Sequence, residues 1–282
     1  MPAPHRFRLV TLDDLTIDDR SSFTGVGIYG RLEGFLRGSV HRFRIPDGDQ
    51  TVSWDRALFL NLTYWNVDEG ADVLCDNHIP ADVVAHVAWH EVVSRELARR
   101  RSAGPAAASA PALFLAESIA SAFDLYLVGR LLPTRPDCDF VTTQVPLMTD
   151  CASEAGVAEA DFSTLLEDVV REPERAFEDL RALLFDAATT LVACPGVEQA
   201  QAALDGFAGH RFAPLLHHYQ LSNWILYARA YARPLGADPG AHDIAQDAAI
   251  DVDRALRQAP VSLDWLDRHF LAAAATPAGA AT

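Results

Sequence analysis

Lysine is absent from this 282-residue chain: all 23 basic side chains are arginine, against 39 acidic ones, giving a formal net charge of −16. That removes every scheme built on a lysine nucleophile or a Schiff base. The acidic surplus argues against a nucleic-acid partner, because affinity for phosphate backbones comes mainly from Lys and Arg. Cysteine is scarce too. Cys75, Cys138, Cys151 and Cys194 lie far apart with no CxxC pair, so neither a disulfide scaffold nor a cysteine zinc site is expected. Free thiols in a reducing cytoplasm are the expected state. No run of 18 uninterrupted apolar residues occurs, so no membrane span is expected. The first ten residues lack the apolar core of a signal peptide. Missing as well are a Gly-rich phosphate loop, a dinucleotide fingerprint and the Glu-x-x-His pairs of a di-metal bundle.

What is there is a half-apolar composition, enough for a sizeable core. Alanine, at 47 residues, and the all-arginine basic set fit GC-rich coding, as in many bacteria. The first 75 residues read as short strands at Phe7–Val10, Gly25–Tyr29, Arg31–Phe43 and Ala57–Trp65, with turn chemistry at Pro46-Asp47-Gly48-Asp49. From Ile79 a helical period takes over, with Val83, Val84, Val87, Val92 and Leu97 as its apolar stripe. Arg99–Ala112 reads as a low-complexity connector beginning with a solvated arginine cluster at the helix end. A second helix is expected over Leu113–Leu132, a Pro/Thr/Asp-rich linker over 133–150, and helices from about 154 to 272. The expected class is α+β: a β-rich region plus a helix pair over 1–147, a helical region over 148–274 and a disordered tail over 275–282.

The segment that carries chemistry is Asp82-Val83-Val84-Ala85-His86-Val87-Ala88-Trp89-His90. Two histidines four apart on a helix share one face and can reach one ion. Twenty-seven residues after His90, the second helix carries Glu117, followed by Ser121 and Asp124 close to its face. Two histidines and one carboxylate with an open fourth position form the ligand set of a catalytic zinc site. The plain alternative is a pair of buried, hydrogen-bonded histidines packed among Val83, Val87 and Trp89.

His86-x-x-x-His90 and Glu117-Ser118-Ile119-Ala120-Ser121-Ala122-Phe123-Asp124 resemble the gluzincin metallopeptidases, thermolysin-like and aminopeptidase-like. Those proteins place two zinc histidines of an HExxH motif on one helix and a glutamate ligand on a following one. The resemblance covers about 50 residues. It implies a zincin-like helix pair, zinc as cofactor with His86, His90 and Glu117 as ligands, and a peptide or protein segment as partner, with no membrane partner. Asp82, Ser121 and Asp124 are the residues it suggests for orienting the ligands. Val87, His218 and Tyr219 are those it suggests for the cleft. The segment His210–Tyr219 also reads as an ordinary amphipathic helix, and Asp186 as a cap or a core hydrogen bond.

The departures shape the functional expectation. Val87 stands where the family carries the glutamate that takes a proton from the zinc-bound water. General acid/base catalysis typically contributes 10²–10⁴-fold, about 3–5 kcal/mol of barrier, so hydrolysis without it should be very slow. Glu91 lies about 100° around the helix from His90 and cannot simply replace it. Ser121 stands where thermolysin-like chains carry an orienting aspartate, and the amine-binding strand of the aminopeptidases is absent. The resulting expectation is a pseudopeptidase that binds a peptide without cutting it, of a kind that could present a precursor peptide to tailoring enzymes in peptide natural-product biosynthesis. Two alternatives stay open: an active zinc hydrolase using another base, and a metal-free helical scaffold. The negative charge further implies that basic or neutral peptides associate faster than acidic ones at low salt.

Overall fold

A computed structural model describes residues 7–47, 52–53, 57, 71–100, 109–232 and 248–272. The protein is α+β and mostly helical, with a small N-terminal sheet. The expected strand beyond residue 57, most of the connector after Arg100 and the tail over 275–282 lie outside the described residues. By internal contacts the chain divides into two units, Met1–Glu91 and Val92–Thr282.

In the first unit, β1 (Phe7–Val10) pairs antiparallel with β3 (Arg42–Pro46), Phe7 opposite Pro46 and Val10 opposite Phe43; β3 runs parallel to β4 (Ala71–Val73). A separate parallel pair joins β2 (Thr16–Asp18) to β5 (His78–Pro80). Phe7–Val10 is thus a strand, as the alternation predicts. Gly25–Tyr29 and most of Arg31–Phe43 are not. A 3₁₀ stretch covers Arg20–Gly25, and α1 spans Tyr29–Gly38. Three glycines in α1 each cost roughly 1 kcal/mol of helix propensity, and this disguised it. Tertiary burial overrides them: Tyr29, Leu32, Glu33 and Leu36 fall on one helical face and all are buried. Glu33 is tied there by Arg20 Nε at 2.9 Å and Arg37 Nε at 2.9 Å.

Helix α2 (Ala81–Arg100) follows β5 directly, and the division between the units falls within its length. Its last residues Arg99 and Arg100 are exposed and pair with Glu96, matching the expected solvated helix end.

The second unit is built on α3 (Ala110–Leu131). Ser109 Oγ caps it by accepting from the Ala112 amide at 3.2 Å, and Pro111 sits in its first turn where no amide bond is lost. This helix is long and apolar enough, by length and composition, to cross a membrane. Its apolar window is 83% buried inside the protein, as a core helix is. The expectation from uninterrupted apolar runs overlooked it because Glu117, Ser118, Ser121 and Asp124 break the run.

Around α3 lie α4 (Asp139–Glu154), α5 (Glu159–Arg171), α6 (Pro173–Ala193), α8 (Leu221–Tyr231) and α9 (Ala248–Gln258), with α7 (Val197–Asp205) packed on α6. A short helix, α10 (Ser262–Leu266), runs into a π-turn over Asp267–Leu271. Gly129 marks a close approach to α3: a Cβ there would stand 2.7 Å from the Val169 carbonyl oxygen and 2.9 Å from Pro173 Cβ.

The linker expected over 133–150 is instead largely α4. Phe140, Val141, Met148 and Ala152 form its buried stripe. Thr142 and Thr149 donate back to the carbonyls of Cys138 and Val145, so residues typical of loops are absorbed in the helix. His210–Tyr219 is not a regular helix either. It is a series of turns around a 3₁₀ segment, Ala213–Leu215, with Pro214 inside it and Gln220 at φ 49° before α8 starts.

Candidate metal centre

Helix α2 begins where Pro80 closes β5, with Asp82 in its first turn, where a carboxylate complements the helix dipole. Val84, Ala85, Ala88 and Trp89 are buried and fix the helix, while His86 and His90 are half-buried. The two imidazoles lie one turn apart, ring centroids 5.0 Å from each other and planes tilted by 38°. Val87 is buried, 8% exposed, so the position after His86 is a packed aliphatic side chain.

Glu117 comes from α3 and is also only 8% exposed. A carboxylate on so apolar a helix is expensive to bury unless it is paired or coordinates a cation. One ligand atom from each of His86, His90 and Glu117 lies within 4.8 Å of the other two. In a tetrahedral site with metal–nitrogen and metal–oxygen bonds of about 2.0–2.1 Å, such atoms stand ~3.4 Å apart. The donor set, two imidazoles and a carboxylate, is one that zinc and other first-row divalent ions accept. These three residues could hold a metal ion.

The other expected site residues are distributed as follows. Asp82, one turn before His86, has its charge close to Tyr29. Burial, with Glu33 and Asp82 adding to it, pushes that phenol well above its usual range. Ser121 is buried one turn after Glu117 on α3. Asp124 forms an electrostatic group with His218 and Tyr219. Burial pulls His218 below the ordinary imidazole value, with Asp124 opposing. Tyr219 is raised well above its ordinary value by burial, then by Asp124 and Cys151. The His218 and Tyr219 rings meet edge-on at 4.9 Å. Asp186 is neither a cap nor a core hydrogen bond: it accepts from Arg257 Nη2 at 2.8 Å at the half-exposed end of an ion network. The attraction of an arginine 71 positions away has no local sequence signal.

Sequence reasoning missed His41. Its Nε2 lies 3.0 Å from Asp72 Oδ2 and its Nδ1 3.9 Å from Glu91 Oε2, so Glu91, the residue after His90, has its carboxylate near another imidazole. The contact joins residues 50 apart, and only a histidine near the end of the strand expected over Arg31–Phe43 was there to signal it.

Comparison with protein-family models, with curated proteins and with solved structures finds no match for this chain.

Proposed function

We propose that His86, His90 and Glu117 hold a divalent metal, zinc in the first instance, in a peptidase-like site that binds a peptide or protein segment without cleaving it, in the cytoplasm. The observation that carries this reading is the convergence of two imidazoles and one buried carboxylate within 4.8 Å. Bound zinc would supply a Lewis acid and a water of lowered pKa. The imidazoles must be neutral to bind, so affinity for metal falls as pH drops through the histidine range. Val87 offers no proton acceptor, and the nearby Glu91 carboxylate lies toward His41. A peptide would find main-chain partners along β1, which among the described residues pairs only with β3.

The test is metal content of the purified protein, with calorimetric zinc titration of the wild type, His86→Ala and Glu117→Gln. The reading expects one equivalent of zinc in the wild type and at least tenfold weaker binding in each variant. Absence of any first-row metal together with no zinc binding overturns the site. Iron in its place changes the metal, since two histidines and a carboxylate also suit non-haem iron. A peptidase assay on the wild type and Val87→Glu tests the second half. Ordinary cleavage by the wild type that His86→Ala abolishes would overturn the non-cleaving reading.

A further inference from the structure

The helical unit carries a concavity that includes none of the metal-site residues. A cavity of 990 Å³ opens between the C-terminal end of α6, helix α7, the 3₁₀ turn Ala213–Leu215 and α8. That is the upper end of the roughly 300–1,000 Å³ of small-molecule sites, and a concave shape suits a small molecule rather than a flat protein interface. Leu191, Leu204, Leu216, Leu221 and Ile225 wall it. Helix α7 buries none of its own residues. At the rim Val197 is 86% exposed and Leu226 67%, large apolar side chains with no cover of their own.

The ionisable groups on the lining, cysteine aside, are Asp205, His217 and Arg229. Asp205 accepts from Gln201 Nε2 at 2.9 Å. Arg229 is anchored through Nη2, which donates to the Cys194 carbonyl at 2.6 Å and the Val192 carbonyl at 3.4 Å. Among the described residues no carboxylate pairs with it. Arg229 is an exposed residue, so its guanidinium is held at the open edge of the cavity, in a chain whose net charge is −16. The C-terminal end of α6 contributes about half a negative charge there. The full charge of Arg229 exceeds it, and the Nη1 and Nε N–H groups beyond the anchored Nη2 can each give a single charge-assisted hydrogen bond to an anionic oxygen.

We propose that this cavity binds an amphipathic organic anion, an aliphatic or aromatic body ending in a carboxylate, with the body against the leucine wall and the carboxylate on Arg229. The site stands independently of the metal reading. Every residue invoked lies between Leu191 and Arg229.

The test uses 1-anilinonaphthalene-8-sulfonate as a fluorescent occupant and dodecanoate, dodecanol and dodecylamine as competitors, all below micelle-forming concentration. Dodecanoate should displace the dye about tenfold better than dodecanol or dodecylamine. Arg229→Gln should abolish that preference, and Ala200→Trp, filling the cavity from α7, should weaken all ligands. Dodecanoate should also slow alkylation of Cys194, read by peptide mass mapping. If Arg229→Gln does not fold, the competition series, Ala200→Trp and Cys194 protection decide. Equal displacement by dodecanoate and dodecanol overturns the anion site. So does dodecanoate binding left unchanged by Ala200→Trp. A dimer that Ala200→Trp dissociates makes the groove an interface and overturns it too. His86→Ala should bind dodecanoate like the wild type, so that failure of one site is separable from failure of the other.

Discussion

The two units each bury a charge, and they do so with opposite signs and different security. In the first, Glu33 is the buried centre, clamped by Arg20 and by Arg37, which reaches on to Asp13. Both arginines keep substantial contact with water, and the elements they tie are a 3₁₀ stretch and the ten-residue α1. In the second, Arg181 is fully buried. It gives Nε and Nη2 to Glu178 at 2.8 and 2.7 Å and Nη1 to Asp253 at 2.8 Å. Asp253 also accepts from Arg257, which reaches Asp186. This network pins α6 to α9 across 72 residues of sequence. A clamp whose partners can rehydrate is worth little when broken. A clamp around a dry guanidinium leaves an uncompensated charge.

Breaking the second clamp should therefore be the costlier change. Asp253→Ala should lower unfolding free energy by about 3 kcal/mol in urea titration. Arg181→Met, which removes the centre and leaves Asp253 with Arg257, should cost less. The reverse order would mean that the network does not act as a buried clamp. Next comes packing in the same unit: Gly129→Ala drives a methyl toward the Val169 carbonyl and Pro173, and about 2 kcal/mol should be lost. An unchanged melting temperature would show that α5 and α6 yield there.

Glu33→Gln in the first unit should cost only about 1 kcal/mol. Burial alone would raise the Glu33 carboxyl, but the bonds and charges of Arg20 and Arg37 together hold it below its ordinary 4.5. Its contribution is thus complete above pH 4.5 and lost as pH falls through the folded value. The acid limb of the stability profile should flatten in Glu33→Gln. The smallest effect belongs to His78, exposed and raised by the hydrogen bond and charge of Asp18 at 2.8 Å. Its contribution is present below pH 6.5 and fades as pH rises through the folded value. An NMR titration of Asp18→Asn should show the imidazole pKa falling; no change would remove the pair from the account.

What the sequence made legible follows the same divide between local and distant causes. The His86/His90 spacing and the carboxylate of Glu117 could be read because helical period and ligand chemistry are properties of short segments, and the three do converge. Helix α1 could not, because its glycines argue locally for something else and only the burial of Tyr29, Leu32 and Leu36 reverses the balance. Helix α4 was hidden by threonines and Pro146, whose loop-like preferences give way once Phe140 and Met148 are buried. The Arg181–Asp253 pair and the His41–Glu91 contact join residues 72 and 50 apart, and no local pattern announces them.

Helix α3 has one more consequence, for the order in which the chain is made. Its apolar surface is covered largely by α6, which begins at Pro173, and then by α5, which begins at Glu159. A ribosome moving at about 5–20 residues per second exposes the 22-residue segment for seconds before that cover exists. During that interval the nascent chain presents an uncovered segment with the length and composition of a membrane span. A chain halted before residue 173 should therefore aggregate or partition into lipid.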